Sequence, residues 1–142
     1  MQLEQQNTAA AVPEDELSTI RMLNGLRGFP EIREVELVYR ENERPFMWLR
    51  DTHPEGLQFL VAEPVYLFDQ YKIELFDDDA ADLGLSRPED AIVLNILTAT
   101  DTPAPQIYAN QVGPVLINAR SRTAKQVIIK NYQAYQARKA LI

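Results

Sequence analysis

The apolar residues of this chain come in short β-branched runs, and turn-forming residues cut the chain between them. Asn24-Gly25, Gly28, Pro45, Pro54-Glu55-Gly56, Pro64, Gly84, Pro88, Pro103, Pro105 and Gly113-Pro114 punctuate it at roughly the eight- to twelve-residue spacing of an all-β sandwich or barrel. That spacing leaves no room for the long helix a parallel β-α-β crossover needs, so a parallel sheet is not expected. The fold class read from the pattern is all-β: a single antiparallel, barrel-like domain with one or two short helices. A chain of 142 residues, 46% of them hydrophobic, can fill one such core.

The longest β-type run, Ala91–Thr100, is nearly all apolar and belongs at the sheet centre. Val115–Ile117 and Val127–Ile129 read as the buried strands of a late hairpin linked by Asn118–Gln126, with Gly113-Pro114 just before the first. Val35, Leu37 and Tyr39 alternate with Glu34, Glu36 and Arg40, the mark of a half-buried strand. Further strands are expected at Ser18–Leu23, Phe46–Arg50, Leu57–Ala62 and Tyr71–Leu75. Pro30–Arg33 reads as one helical turn, and Asn131–Ile142 as a terminal strand or short helix. The expected core holds Phe46, Trp48, Phe59, Leu94, Ile96, Val115, Ile117 and Val127. Residues 1–17, rich in Gln, Ala and Glu and free of aromatics, read as a flexible tail, leaving 18–142 as the domain.

Charge is divided along the chain. Residues 1–118 carry 8 basic and all 21 acidic residues, whereas residues 119–142 carry six basic residues and no acid. An acidic body disfavours direct nucleic-acid binding, which rests on phosphate contacts, and suits a basic protein partner. No cysteine is present, so neither a disulfide nor a thiolate metal site is possible. No apolar run approaches a membrane span, and the N-terminal residues do not resemble a secretory signal, so a cytoplasmic protein without membrane contact is expected.

Catalytic patterns are sparse. His53, the only histidine, stands in a turn two residues from Asp51, and no serine sits in a nucleophile-elbow pattern. Asp77-Asp78-Asp79 lacks the alternate spacing of a calcium loop. It reads as the start of a short helix, with an Asp N-cap, acid in the first turn and Gly84 after the last. Gly25 and Gly28 are not followed by the Lys-Ser/Thr of a phosphate loop. Phe46 and Trp48 fit a core strand, with an aromatic partner-binding patch as the alternative. Neither enzyme activity nor a cofactor is expected; a binding or regulatory module is. The densest acidic cluster, Asp77, Asp78, Asp79 and Asp82, is the candidate surface for a basic partner, with the basic hairpin Arg120–Lys130 the next surface to consider.

Several stretches, in order, resemble the FliW family of bacterial flagellar assembly factors. They are Gly25-Leu26-Arg27-Gly28-Phe29; Pro45-Phe46-Met47-Trp48-Leu49; Phe59-Leu60-Val61-Ala62-Glu63-Pro64 with Tyr71 and Leu75; Leu83-Gly84 with Pro88-Glu89-Asp90; and Ala109-Asn110, Pro114, Ile117-Asn118 and Gln126-Val127. Gln111, Glu63 and Ala124 depart from the family's usual apolar residue, Asp and Gly. The resemblance implies a β-barrel-like fold and two protein partners, flagellin and the RNA-binding translational regulator CsrA. A FliW-like protein antagonises CsrA's repression of flagellin mRNA translation, and flagellin competes for it. A flagellin-binding chaperone without CsrA antagonism is the alternative, with an enzyme a third reading. No family motif assigns the contact residues.

Overall fold

The computed structural model describes residues 1–4 and 17–141. Among them are eleven strands and one α-helix. In chain order these are β1 Gln2–Glu4, β2 Leu17–Met22, β3 Glu34–Val38, β4 Met47–Asp51, β5 Gln58–Ala62, β6 Lys72–Glu74, α1 Asp77–Asp82, β7 Ala91–Thr100, β8 Gln106–Ala109, β9 Val115–Asn118, β10 Thr123–Gln126 and β11 Lys139–Ala140. The wall runs β7-β5-β4-β3-β2-β10-β9 and returns to β7, closing a seven-stranded barrel.

The expected all-β barrel-like architecture is therefore present. One pairing departs from the antiparallel expectation: β10 runs parallel to β2, with Thr123 opposite Arg21 and Ala124 opposite Met22. No crossover helix is needed, because most of the barrel wall intervenes between these two strands in sequence. Closure removes the unpaired edges that a flat sheet would expose.

β7 organises the interior. Ile92 and Leu94 point into the barrel with Ile20, Val35, Leu37, Leu49, Val61, Val115 and Ile117. Ala91 and Val93 point outward into a second core, under Leu3, Tyr71, Ile73, Leu75 and Leu83. β9 divides the same way, with Leu116 on the outer side. Burial on both faces is why these strands read as continuous apolar runs rather than as alternations.

β7 also changes partner along one edge. Ala91–Leu94 pair with β9, whereas Leu97–Thr100 pair with β8, to which β11 adds. The fully buried Asn95 sits at the change. Its Nδ2 donates to the Asn110 carbonyl at 2.9 Å and to the Tyr71 hydroxyl at 3.2 Å, and that hydroxyl donates to the Gln111 carbonyl. Burial drives the Tyr71 phenol well above its ordinary pKa, so it stays a donor.

Several expectations need correction. In β4 the inward residues are Met47 and Leu49, so Trp48 lies half-buried on the outer face, and Phe46, Phe59 and Ile96 are also only partly buried. For Trp48 strand period fixes this, since one residue of phase exchanges the faces, whereas Phe59 and Ile96 keep the inner side and pack against the barrel core at partial burial. The late hairpin turns sooner than its apolar pattern suggests. Asn118 winds the turn by accepting from the Arg120 N–H at 3.0 Å and, through its carbonyl, from the Arg122 N–H at 2.8 Å, so polar Thr123–Gln126 pairs with β9. Val127 and Ile129 lie beyond the strand yet remain buried, their N–H groups donating to the Pro114 and Val112 carbonyls.

Gln2–Glu4, expected in a tail, pairs with β6 and buries Leu3 in the outer core. The other tail residues fall outside the described residues, except Met1 and Leu17, which opens β2. Pro30–Arg33 is a non-helical turn. The C-terminal stretch holds a 3-10 turn at Tyr132–Ala134 and the edge strand β11.

The phase of β4 can be measured by truncation. Leu49→Ala is expected to cost about 2–5 kcal/mol, as emptied core sites do. Trp48→Ala should cost distinctly less, because solvent already reaches the ring. Urea unfolding midpoints of the two variants check the ordering.

Candidate functional site

The acidic cluster falls on α1. The helix ends where the sequence expects: Gly84 takes φ +64°, its N–H donates to the Ala81 carbonyl, and the Leu85 N–H reaches back to the Ala80 carbonyl. This left-handed stop satisfies two late carbonyls and seats Leu85 in the outer core with Ala80. The start differs from expectation. Phe76 occupies the N-cap position without a side-chain cap bond, and Asp77 is the first helical residue. The first-turn carboxylates act on the helix through its dipole rather than as a cap.

The four acids divide into two roles. Asp77, Asp78 and Asp82 are exposed, with Phe76 45% exposed at the helix start. Asp79 is turned inward: Lys125 of β10 donates to its Oδ1 at 2.7 Å and to Asp82 Oδ2 at 2.9 Å. Asp79 and Lys125 side chains are each only 16% exposed. The hydrogen bond to Asp79 holds the Lys125 ammonium above its ordinary pKa. Asp79 therefore ties α1 to the barrel, and the free acidic surface is Asp77, Asp78 and the outer side of Asp82. Lys125 was missed in the sequence because its partners lie more than forty positions away.

Several basic residues of the C-terminal stretch make contacts within the fold. Lys125 is held by α1, Arg120 lies 3.9 Å from Asp90, and the Arg138 guanidinium stacks 4.0 Å over Tyr108. His53 lies in an exposed turn, as expected. Its main-chain N–H, not its imidazole, bonds Asp51 Oδ1 (3.1 Å), and its Nδ1 accepts from the Glu55 N–H (3.3 Å). Only glycine fits at Gly56, where an added Cβ would stand 2.5 Å from the Asp51 side chain. This turn borders an open cleft of about 630 Å³ with Glu31, Glu34 and Leu57, and no serine or cysteine lines it. Among the described residues no group of three His, Cys, Asp or Glu side chains could hold a metal, and no helix is long and apolar enough to cross a membrane.

A second surface lies on the outside of β3, β4 and β5. Register sets Val38, Trp48 and Leu60 side by side on one face. With Phe46 and Ile107 of β8, the Trp48 and Leu60 side chains line an open groove of about 380 Å³. The Trp48 Nε1–H donates to Glu43 Oε1 at 3.3 Å. The alternative reading of Phe46 and Trp48, as an aromatic patch, thus has an exposed surface to rest on. At the end of β5, burial raises the Glu63 carboxyl above its ordinary pKa, and no cation pairs with it among the described residues.

Comparison with known proteins gives one answer. The family model described as FliW protein matches residues 4–141. The flagellar assembly factor FliW of Leptospira biflexa serovar Patoc is 32% identical over 128 residues, which is 90% of this chain and 83% of that protein. Its counterpart in Geobacillus kaustophilus is 35% identical over 116 residues, covering 82% of this chain and 79% of that one. A crystal structure of the flagellar assembly factor FliW superposes with a TM-score of 0.79 at 30% identity, covering 93% of this chain and 89% of the other.

Two outcomes follow from the ionic groups. Lys125→Met, which leaves two carboxylates facing each other, should cost about 1–3 kcal/mol, whereas Asp78→Asn should stay within about 0.5 kcal/mol. Because the Lys125 pKa is raised, its contribution is complete below the ordinary lysine value and is lost as pH rises through the folded one. The gap between wild type and Lys125→Met in urea should hold steady from neutral pH to the lysine range, then close. Glu63 works at the other end. A raised carboxyl pKa means the folded state binds a proton more readily, so its contribution is gained on acidification and lost as pH rises through the folded value. Glu63→Gln should be more stable than wild type at pH 7, with the advantage shrinking toward acid pH in the same assay.

Proposed function

The chain belongs to the FliW family, a family of flagellar assembly factors, and from that premise we propose that it works by protein binding in a partner switch. In this reading it binds the translational regulator CsrA, relieving repression of flagellin mRNA translation, and it binds flagellin, whose accumulation withdraws it from CsrA. The role is non-catalytic and needs no cofactor. The observation that carries the CsrA half is the exposed acidic face of α1, set in a chain of formal net charge −7. An RNA-binding regulator is basic where it meets phosphate, and opposite fields raise association rates more than they deepen final affinity. Asp77, Asp78 and Asp82 are the candidate contact residues; Asp79 supports them by anchoring the helix to Lys125. A flagellin chaperone without CsrA antagonism is the second reading, and the apolar groove around Trp48 favours it.

The division of roles on α1 decides which charges to reverse. Asp77→Lys with Asp78→Lys removes exposed charge and leaves the Asp79–Lys125 tie in place. We expect this variant to associate with CsrA more slowly than wild type in stopped flow, and to lose most of the wild type's rate dependence between low salt and about 0.15 M, where the screening length is about 8 Å. Flagellin association should change little. Equal CsrA rates for both proteins at both salts would remove α1 from the contact and turn attention to the surface around Arg120–Lys130.

A further inference from the structure

The last stretch of the chain, residues 130–141, lies across two strand edges and holds them in different ways. On the edge of β6 it lays no strand. The Lys130 N–H donates to the Glu74 carbonyl at 2.7 Å, Asn131 Oδ1 accepts from the Glu74 N–H at 2.9 Å, and Asn131 Nδ2 donates to the Lys72 carbonyl at 2.9 Å. The Tyr135 hydroxyl accepts from the Lys72 N–H at 2.8 Å and donates to the Lys72 carbonyl at 3.0 Å. Two side chains thus stand where a neighbouring strand would. Farther on, Gln136 and Gln111 exchange two hydrogen bonds, both at 3.0 Å. β11 then adds two residues to the β8 edge, and the Leu141 N–H donates to the Ile107 carbonyl at 2.8 Å. Little apolar surface backs these polar holds, because no residue of 130–141 is fully buried. A segment held this way opens more readily than a core does.

What this strap presents shows what its place accepts. The N–H and C=O groups of a strand edge take another extended segment. Above β8, the Arg138 guanidinium stands 4.0 Å from the centre of the Tyr108 ring, which makes the ring a seat for a cation. The strap carries Lys130, Arg138 and Lys139 and no acid, whereas residues 1–118 carry 8 basic and 21 acidic residues. A basic, extended segment on an acidic body is therefore the chemistry that charge complementarity selects at this edge. The place also continues the acidic face of α1. Lys130 bonds Glu74, three residues before Asp77, and Glu74, Phe76, Asp77 and Asp78 are all exposed.

We propose that residues 130–141 are an autoinhibitory strap: it opens while the barrel stays closed, and yields the β8 edge to an extended basic segment of the translational regulator. This rests on the reading that CsrA is a partner, and adds to the α1 contact a step that regulates it.

Apparent affinity then scales with the fraction of open protein, so loosening the strap tightens binding and fastening it weakens binding. Tyr135→Phe deletes the hydroxyl that caps Lys72 and keeps the ring edge-on to Tyr71. We expect this full-length variant to bind purified CsrA about fivefold more tightly than wild type in calorimetry, as loss of one net hydrogen bond from the closed form allows. A merely structural tyrosine would give equal or weaker binding. The opposite variant fastens β11 to β8. Lys139 stands opposite Ala109, and such pairs come within disulfide reach in a chain that has no cysteine of its own. Oxidised Ala109→Cys with Lys139→Cys should bind CsrA on the order of tenfold more weakly than the same protein reduced. If the double variant does not fold, Tyr135→Phe decides alone. Tyr135→Phe binding at or below wild-type strength overturns the strap and leaves CsrA as a partner. A locked protein that binds as its reduced form does has the same consequence. Wild-type protein that forms no complex with CsrA overturns the partner reading and this proposal with it.

Discussion

Along Ala91–Leu94, β7 has no solvent face. Its inward residues close the barrel core and its outward residues close the second core, so one strand supplies both. Everything packed on the outside follows from this. Val93 and Leu116 would expose apolar surface on a bare barrel, and covering them requires α1, the β1–β6 pair and the buried Val127 and Ile129. The strand then outruns the barrel, and its far half takes β8 and β11 as partners. At the point of departure the two ladders cannot both supply hydrogen bonds, and the buried Asn95 amide bridges to the Asn110 backbone and the Tyr71 hydroxyl instead. Only the Nδ2 side of this buried amide is satisfied; its Oδ1 has no partner among the described residues.

The placement of charge follows from the same layering. α1 can cover the outer core only if it is held there, and a helix of six residues has little stability of its own. Its apolar residues, Ala80 and the following Leu83 and Leu85, supply one hold and the Lys125 tie to Asp79 and Asp82 the other. The acids on the remaining face are then free for other uses. A run of carboxylates that looks uniform in sequence thus has an inner member bound to the barrel and outer members facing water.

Much of this was legible in the chain itself, and the misses share a cause. Turn residues and β-branched runs located β2 to β7 and β9, the helix at Asp77 and its glycine stop, because these depend on neighbours in sequence, but they did not locate β1, β8 or β10. Closure through the parallel β2–β10 pair did not show, since it joins residues about a hundred positions apart. The phase of β4 was misread because both of its faces carry apolar side chains: Met47 and Leu49 inside, Phe46 and Trp48 outside. Alternation is informative only when one face is polar. Val127–Ile129 looked like a strand for a similar reason: burial against the outer core selects the same β-branched residues as a ladder does. In the candidate site, the acid cluster was visible, but the distinction between Asp79 and its neighbours needed Lys125, which only the fold brings near.

The order of strands around the barrel bears on how two partners could compete. α1 is fastened to β10, and the groove lies on β4 and β5. Between β10 and β4 stand β2 and β3 on one side, and β9, β7 and β5 on the other. α1 also covers β7 and β9, so the two surfaces are built on different strands of one wall, and a small contact confined to one leaves the other uncovered. Mutual exclusion in the proposed switch then demands either a partner large enough to wrap round the wall or coupling carried through it. Coupling needs an element with two arrangements that the partners bias differently. The short α1 helix, held by a modest apolar patch and a single lysine, is a better candidate for such an element than the closed, doubly buried strands beneath it. Release of the Lys125 tie would alter the acidic face while leaving the barrel core intact, which is the kind of change one partner could use to exclude the other.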